Sequence, residues 1–333
     1  MPSMTLDRDD VIVGVDTHKG QHVGVSVDGF GGRLGELFIP ASIEGYELLL
    51  AWARRQGNVV AFGVEGTGSY GIGLARFLRR QGVTAIEVSR PPRKVERRLQ
   101  GKSDTIDAEH AARQVLAGEA TATPKTSDGV IEVLRLVKIA RDTAVKAQTQ
   151  AMVALKATLV TANDELRAGL EPLTDFKLIT ACAGFDRVDD LSDADLAMRH
   201  VLGALALRWL DLRAEITVHT RHLMTGIQTA APQLVEAFAV GFDTAAELLI
   251  AAGDNTNRVR SEAAFAKLCG VCPIPASSGK TNRHRLNRGG NRQANAALYR
   301  AVIVRLRWHQ PTIDYVTRRT AEGLTKCEII RCL

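Results

Sequence analysis

The sequence predicts an α/β domain at the N-terminal end of the chain, followed by a mainly helical remainder. Apolar strand-like segments alternate with helical segments up to about residue 123, and beyond Pro124 the hydrophobic residues recur at helical spacing. A hydrophobic fraction of 45% is enough for packed cores and excludes a chain that is mostly disordered. No apolar run approaches the roughly 18 residues that a membrane-spanning helix needs, so we expect no membrane span.

Five short apolar segments predict strands, at 11–16, 22–27, 34–39, 59–64 and 84–88. A run rich in glycine, 28–32, separates the second and third segments, so the first three strands are expected to form a meander. Helical segments are predicted at 43–55, 71–80 and 104–117. Together these elements predict one α/β domain over residues 8–123.

The region 124–230 is predicted to be helical and to serve oligomerisation. In its second half, hydrophobic residues step by four and three, as in a coiled-coil seam. The seam residues are Met198, Leu202, Leu205, Trp209, Leu212, Ile216, His219 and Leu223. Two long helices, separated by a stretch at 161–190 that is predicted to be irregular, indicate either an antiparallel hairpin or a dimerising coiled coil.

The region 231–333 is predicted to be a third, mainly helical domain, with helices at 243–252, 261–268 and 291–308. Between the last two helices, 270–290 is rich in Ser, Gly, Pro, Asn and Arg, which predicts a loop or a short hairpin.

The charge is distributed unevenly along the chain. The formal net charge is +6, but residues 255–333 hold 15 Lys/Arg and only 4 Asp/Glu, which indicates that this part meets a polyanion. The polar N-terminus does not resemble a secretory signal, and five scattered cysteines do not form a disulfide framework. A reducing cytoplasm is therefore the expected location.

Four carboxylates are candidates for metal binding. Asp16 and Glu65 each end an apolar strand, at the edge of an α/β sheet where ligands collect. Asp104 and Asp107 are three residues apart and so share one face of a predicted helix. Such acids suit a pair of Mg²⁺ ions about 3.5–4 Å apart, an arrangement used in phosphodiester chemistry. Taken singly, each acid also has a plainer interpretation. Asp16 and Glu65 could be cap or turn residues at the start of a loop. Asp104 could be the N-cap of its helix, and Asp107 an acid of the first turn.

Three segments carry a resemblance to a known family: GVDTHK at 14–19, VEGTGSY at 64–70 and KSDTIDAEHAA at 102–112. They resemble the RuvC-like domain of DEDD-type insertion-sequence transposases. The resemblance implies a ribonuclease-H-like fold for the N-terminal domain. It also implies that Asp16, Glu65, Asp104 and Asp107 form the catalytic, metal-binding quartet and that this quartet binds two Mg²⁺.

The segment 265–301 contains Ser277-Ser278-Gly279 in a basic surrounding. The basic residues are Lys280, Arg283, Arg285, Arg288 and Arg292. Arginines and a glycine backbone suit phosphate contacts, although a serine beside a glycine is also a common loop filler. The segment resembles the C-terminal domain of the same transposases. This implies that Ser278 is a catalytic nucleophile that forms a phosphoserine link to DNA.

A second basic run precedes the Asp104–Asp107 pair and is a candidate for nucleic-acid backbone contact. It comprises Arg93, Lys94, Arg97, Arg98 and Lys102. A solvated helix face is the plainer alternative. The resemblance further implies donor and target DNA, a structured guide (bridge) RNA encoded by the bacterial element, and a homo-oligomer, either a dimer or a tetramer.

Three other functions are compatible with the sequence. A RuvC-like junction nuclease would use the quartet with water and leave Ser278 without a role. An actin-like ATP-dependent kinase would use GVDTHKG and EGTGSYG as phosphate loops, but the C-terminal third lacks the second nucleotide loop that such a fold needs. A nucleic-acid binder without catalysis is the third.

Overall fold

The computed structural model describes residues 6–88, 103–186, 191, 193–255, 257–279, 284–285, 287 and 289–333. These residues form two compact units. The first comprises the described residues up to Ser127 together with Asn255–Arg260, and the second comprises Asp128–Asp254 and Ser261–Leu333. The second unit therefore contains most of both regions that the sequence assigns to the middle and the C-terminal domain.

The first unit is built on a five-stranded mixed sheet. Its strands are β1 (Asp10–Thr17), β2 (Gln21–Asp28), β3 (Arg33–Pro40), β4 (Asn58–Glu65) and β5 (Ala85–Val88), in the order β3-β2-β1-β4-β5. The β1–β2 and β2–β3 pairs are antiparallel, whereas β1–β4 and β4–β5 are parallel. This confirms the predicted meander and α/β region, and it is compatible with a ribonuclease-H-like fold.

Helices cover both faces of this sheet. They are α1 (Ile43–Arg54), α2 (Ile72–Arg80) and α3 (Asp104–Leu116). The helices α1 and α2 pack on the face that holds the main hydrophobic core, through side chains such as Leu49 and Leu74. The helix α3 lies so close to β1 that a Cβ on Gly14 would meet the carbonyl oxygen of Ala108 at 1.9 Å. Glycine on the strand and alanine on the helix therefore bring the start of α3 close to the end of β1.

A segment from late in the chain completes the first unit. The side-chain amide of Asn255 donates to the carbonyl oxygen of Pro124 at 2.8 Å. The guanidinium of Arg258 contacts Glu87 on β5 at 3.2 Å, and Glu87 also forms an isolated antiparallel bridge with Ala122. The edge of β5 is thus covered by residues from two distant parts of the sequence.

The second unit contains a long antiparallel helix pair, α4 (Val130–Leu159) and α7 (Ala194–Ala230). At one end Leu155 packs with Leu202, and at the other end Leu134 packs with Leu223. Two of the predicted seam residues are thus buried against a helix of the same chain, as the antiparallel-hairpin alternative requires. None of the helices in the part of the chain that the structure describes is both long and apolar enough to cross a membrane.

The described part of the stretch at 161–190, residues 161–186, is not irregular as the sequence predicts. It contains α5 (Asp164–Leu170) and α6 (Asp175–Ala183), whose apolar residues Leu166, Leu170 and Ile179 join the core beside α7. These helices are too short to show a clear helical period, and α5 is set by its cap: the side chain of Asn163 accepts a hydrogen bond from the backbone of Leu166.

The rest of the second unit is mainly helical. It consists of α8 (Pro232–Glu236), α9 (Phe242–Ala252), α10 (Glu262–Leu268), a two-stranded hairpin of β6 (Ile274–Pro275) and β7 (His284–Arg285), α11 (Arg292–Trp308), α12 (Gln310–Ala321) and α13 (Lys326–Cys332). The predicted helices at 243–252, 261–268 and 291–308 are confirmed to within one residue at each end, and the hairpin lies within the predicted loop.

A buried ion cluster ties α4 to α9. The ammonium group of Lys138 lies 2.8 Å from Asp243, 3.0 Å from Asp142 and 3.2 Å from Glu247, and its side chain is almost fully buried. Burial alone would lower the pKa of Lys138, but the hydrogen bonds to Asp243 and Asp142 raise the pKa above its ordinary value. The lysine is therefore charged and offsets part of the negative charge of the three acids around it.

Replacing Lys138 with methionine should destabilise the second unit by about 3 kcal/mol, because all three acids lose their nearest cation and Glu247, the least exposed of them, is only 12% exposed. Chemical unfolding followed by circular dichroism measures this free energy. The control is Lys146→Met, which changes an exposed residue of the same helix. Equal stabilities of the two variants would contradict the role assigned to the cluster.

Candidate functional site

The ends of β1 and β4 bring two buried carboxylates to the same edge of the sheet. Val15 pairs with Val64 in the parallel register, so the next residues, Asp16 and Glu65, follow side by side. The hydroxyl of Thr17 donates to the backbone oxygen of Glu65 at 2.9 Å, which ties the two strand ends together. Asp16 is 8% exposed and Glu65 is 5% exposed. Burying carboxylates is costly, so their placement here calls for a compensating charge.

The first turn of α3 contributes Asp104 and Asp107. The N-cap of this helix is Ser103, whose hydroxyl accepts a hydrogen bond from the backbone of Thr105. The interpretation of Asp104 as the N-cap is therefore wrong, because the preceding serine fills that position. Asp104 and Asp107 lie in the first turn, and neither is needed for the side-chain cap.

His18 joins the acids from the two elements. Its Nε2 atom lies 3.1 Å from Oδ2 of Asp16 and 3.5 Å from Oδ1 of Asp104. Burial raises the pKa of Asp16 above its ordinary value, the charges of Asp104 and Asp107 raise it further, and His18 opposes them. His18 is not among the site residues predicted from the sequence, although it stands within the GVDTHK segment that marks Asp16.

The donor set at this edge fits a divalent cation. One ligand atom from each of Asp16, His18 and Asp104 lies within 4.8 Å of the others. Carboxylate oxygens are the preferred ligands of hard divalent ions, and a cation here would offset both the burial of Asp16 and its repulsion by the neighbouring acids. Glu65 is the last residue of β4, beside Asp16, and the charge of Asp107 acts on Asp16. Of the four predicted carboxylates, the structure thus brings Asp16 and Asp104 together with His18.

Ser278 lies in the segment between β6 and β7. Ile274 pairs with Arg285 and Pro275 with His284, so the chain turns back between these strands. Ser278 is exposed, and Gly279 after it has a φ of 55°, in the left-handed region that favours glycine. We call residues 274–285 the serine hairpin. Its described residues present the hydroxyl of Ser278 on an exposed part of the second unit.

The segments before and after the serine hairpin, 268–270 and 290–295, contact each other at the start of α11. A Cβ on Gly290 would lie 2.2 Å from the backbone nitrogen of Gly270, so only glycine allows this approach. The backbone of Asn291 donates to Leu268 at 2.7 Å, and the side-chain amide of Asn295 donates to Cys269 at 3.1 Å. These contacts fix where the hairpin leaves and re-enters the helical part.

Gly290→Ala should displace the base of the serine hairpin, because the added Cβ cannot move away from a backbone atom. We expect a destabilisation of about 1–3 kcal/mol and a strong loss of any activity that depends on Ser278. Gly289→Ala is the matched control, since a Cβ there meets only a side-chain oxygen of Asn287 at 3.3 Å. Thermal unfolding and DNA strand transfer measure the two effects, and indistinguishable variants would refute this account.

Of the predicted nucleic-acid contacts, Arg285 and Arg292 are exposed, on β7 and at the start of α11. The other predicted contacts lie outside the described residues: Arg93, Lys94, Arg97, Arg98, Lys102, Lys280, Arg283 and Arg288. The helix α11 further carries Arg300, Arg305 and Arg307 and has no acidic residue, which makes it a basic element beside the hairpin.

Comparison with known families matches both parts of the chain. A family model described as transposase, of the DEDD IS110 type, matches residues 13–163. The model of the transposase IS116/IS110/IS902 family matches residues 232–317. No match was found among curated proteins. The first match spans Asp16, Glu65, Asp104 and Asp107, the second spans Ser278, and a divalent metal is implied by the DEDD family. The chain therefore belongs to the DEDD-type insertion-sequence transposases and is a DNA transposase, or recombinase.

Proposed function

We propose that this transposase is an RNA-guided DNA recombinase of a bacterial insertion sequence, which cuts and rejoins donor and target DNA in the cytoplasm. Asp16, Glu65, Asp104 and Asp107 hold two Mg²⁺ ions, and Ser278 is the nucleophile. The observation that carries the proposal is the convergence of Asp16 and Asp104 on His18 at the sheet edge, beside the buried Glu65.

The reaction is a pair of transesterifications. The hydroxyl oxygen of Ser278 attacks a DNA phosphorus, the bond to the leaving DNA oxygen breaks, and the serine proton passes to a water or base. In the second step a DNA hydroxyl attacks the phosphoserine and releases Ser278. Metal ions held by Asp16, Glu65, Asp104 and Asp107 would supply positive charge to offset the negative charge that develops on the phosphoryl oxygens. Each step exchanges one phosphodiester bond for another of similar energy, so the reaction needs no ATP.

A guide RNA accounts for the basic character of residues 255–333, and it makes a DNA-reading motif in the protein unnecessary. In the proposal, base pairing by the RNA selects donor and target, and the protein contacts backbone and shape. The exposed Arg285 and Arg292 support this, as does the exposed Arg307 of α11. Arg300 of that helix is instead paired with Asp243 at 3.6 Å. The enzyme acts as a dimer or tetramer, since two DNA partners must be joined.

Two measurements test the proposal. Purification from the host, followed by sequencing of the bound nucleic acid, should give a discrete RNA encoded beside the protein, whereas random cellular RNA would count against a guide. Denaturing separation after reaction with DNA should give a covalent adduct, and mass spectrometry should place the nucleotide on Ser278. Cleavage without an adduct would favour the water-dependent nuclease.

A further inference from the structure

The imidazole of His18 lies between the end of β1 and the start of α3. It comes just after β1, half of its side chain is exposed, and its Nε2 faces one oxygen from each of Asp16 and Asp104. These acids belong to different elements, the end of β1 and the start of α3. The ring nitrogen therefore stands where oxygens from both elements converge.

The separations at this point match those between neighbouring ligands of one metal ion. Six-coordinate Mg²⁺ binds oxygen at about 2.0–2.1 Å, so adjacent donor atoms of its octahedron lie about 3 Å apart. The distances from Nε2 of His18 are 3.1 Å to Asp16 and 3.5 Å to Asp104. The third separation, between the carboxylate oxygens of Asp16 and Asp104, is within 4.8 Å.

We propose that His18 is a nitrogen ligand of one of the divalent ions, in addition to the carboxylate quartet. This inference rests on the proposed function only in taking the quartet as the metal site. Imidazole is a softer donor than carboxylate, so His18 favours Mn²⁺ and later transition ions over Mg²⁺. The consequence is a site that binds Mn²⁺ more tightly than a site of four carboxylates alone.

Electron spin echo modulation of the full-length protein loaded with Mn²⁺ tests this directly, because it detects a coordinated imidazole nitrogen without any activity assay. The wild type should show nitrogen modulation, and isotopic labelling of histidine should change its frequency. The variant His18→Gln should still bind Mn²⁺ but lose the modulation, with roughly tenfold weaker Mn²⁺ binding and a smaller loss for Mg²⁺.

The control is His219→Gln. His219 also faces a carboxylate, Glu215 at 3.5 Å, but lies on α7 in the second unit, so its loss should leave the modulation unchanged. Mn²⁺ bound to the wild type without nitrogen modulation would overturn the role of His18 and leave the metal-binding quartet standing. Failure of the wild type to bind Mn²⁺ would overturn both. A wild-type spectrum without nitrogen modulation would overturn the proposal even if the variant folded poorly.

Discussion

Ser278→Ala is expected to abolish both the covalent protein–DNA adduct and recombination. The variant removes the attacking oxygen. A water that attacked the DNA in its place would leave no phosphoserine, so the second transesterification could not follow. We expect recombination to fall by roughly 10⁴-fold or more, as when other enzymes lose a nucleophilic serine. The serine is exposed next to a glycine in the left-handed region, so the change to alanine should leave the fold intact.

The matched control is Ser277→Ala, which changes the preceding residue of the same exposed segment. It should keep the adduct and most of the recombination. Strand cleavage by Ser278→Ala at the wild-type rate would refute the serine mechanism and identify the enzyme as a nuclease that activates water. Loss of activity in the Ser277 variant alone would place the nucleophile one residue earlier.

The sequence predicted the strands and the acids at their ends because those features depend on local patterns. Runs such as VIVGVD at 11–16 mark a buried strand by composition, and parallel neighbours place their carboxyl ends at one edge. The pairing of Val15 with Val64 then brings Asp16 beside Glu65, as the resemblance implies. Local patterning and sheet geometry were sufficient for this part of the site.

The contacts of His18 could not be predicted in the same way. They depend on α3 crossing β1 where Gly14 leaves room for Ala108, a tertiary contact between distant parts of the chain. A histidine after a strand carries no such information by itself. The base of the serine hairpin is similar, since the approach of Gly270 to Gly290 is not visible from either glycine in the sequence.

Asp16→Asn is expected to slow recombination strongly while leaving the metal-free protein at least as stable as the wild type. The pKa of Asp16 is raised in the fold, first by burial and then by Asp104 and Asp107, so the charged carboxylate is disfavoured there. A raised pKa of an acid means that stability is lost as the pH rises from the unfolded value through the folded one. Asparagine carries no charge at any pH and therefore escapes this loss.

Divalent metal should reverse the order of stability. At a Mg²⁺ concentration a hundredfold above its dissociation constant, the wild type should gain about 2.7 kcal/mol, whereas the variant should gain little. Loss of the ion's charge stabilisation, about 4 kcal/mol in the transition state, corresponds to a roughly thousandfold slower reaction. Thermal unfolding with and without Mg²⁺, together with strand-transfer rates, measures both effects.

Asp9→Asn provides the control, because Asp9 is exposed and stands just before β1. Its stability should respond to Mg²⁺ as that of the wild type does. If Asp16→Asn also kept the full Mg²⁺ stabilisation, the ions would bind elsewhere and the quartet would lose its role. A variant that lost stability in the absence of metal would show instead that the charge of Asp16 supports the fold through His18. Unchanged or higher stability of metal-free Asp16→Asn therefore indicates a carboxylate retained for metal binding, whereas lower stability indicates one retained for the fold.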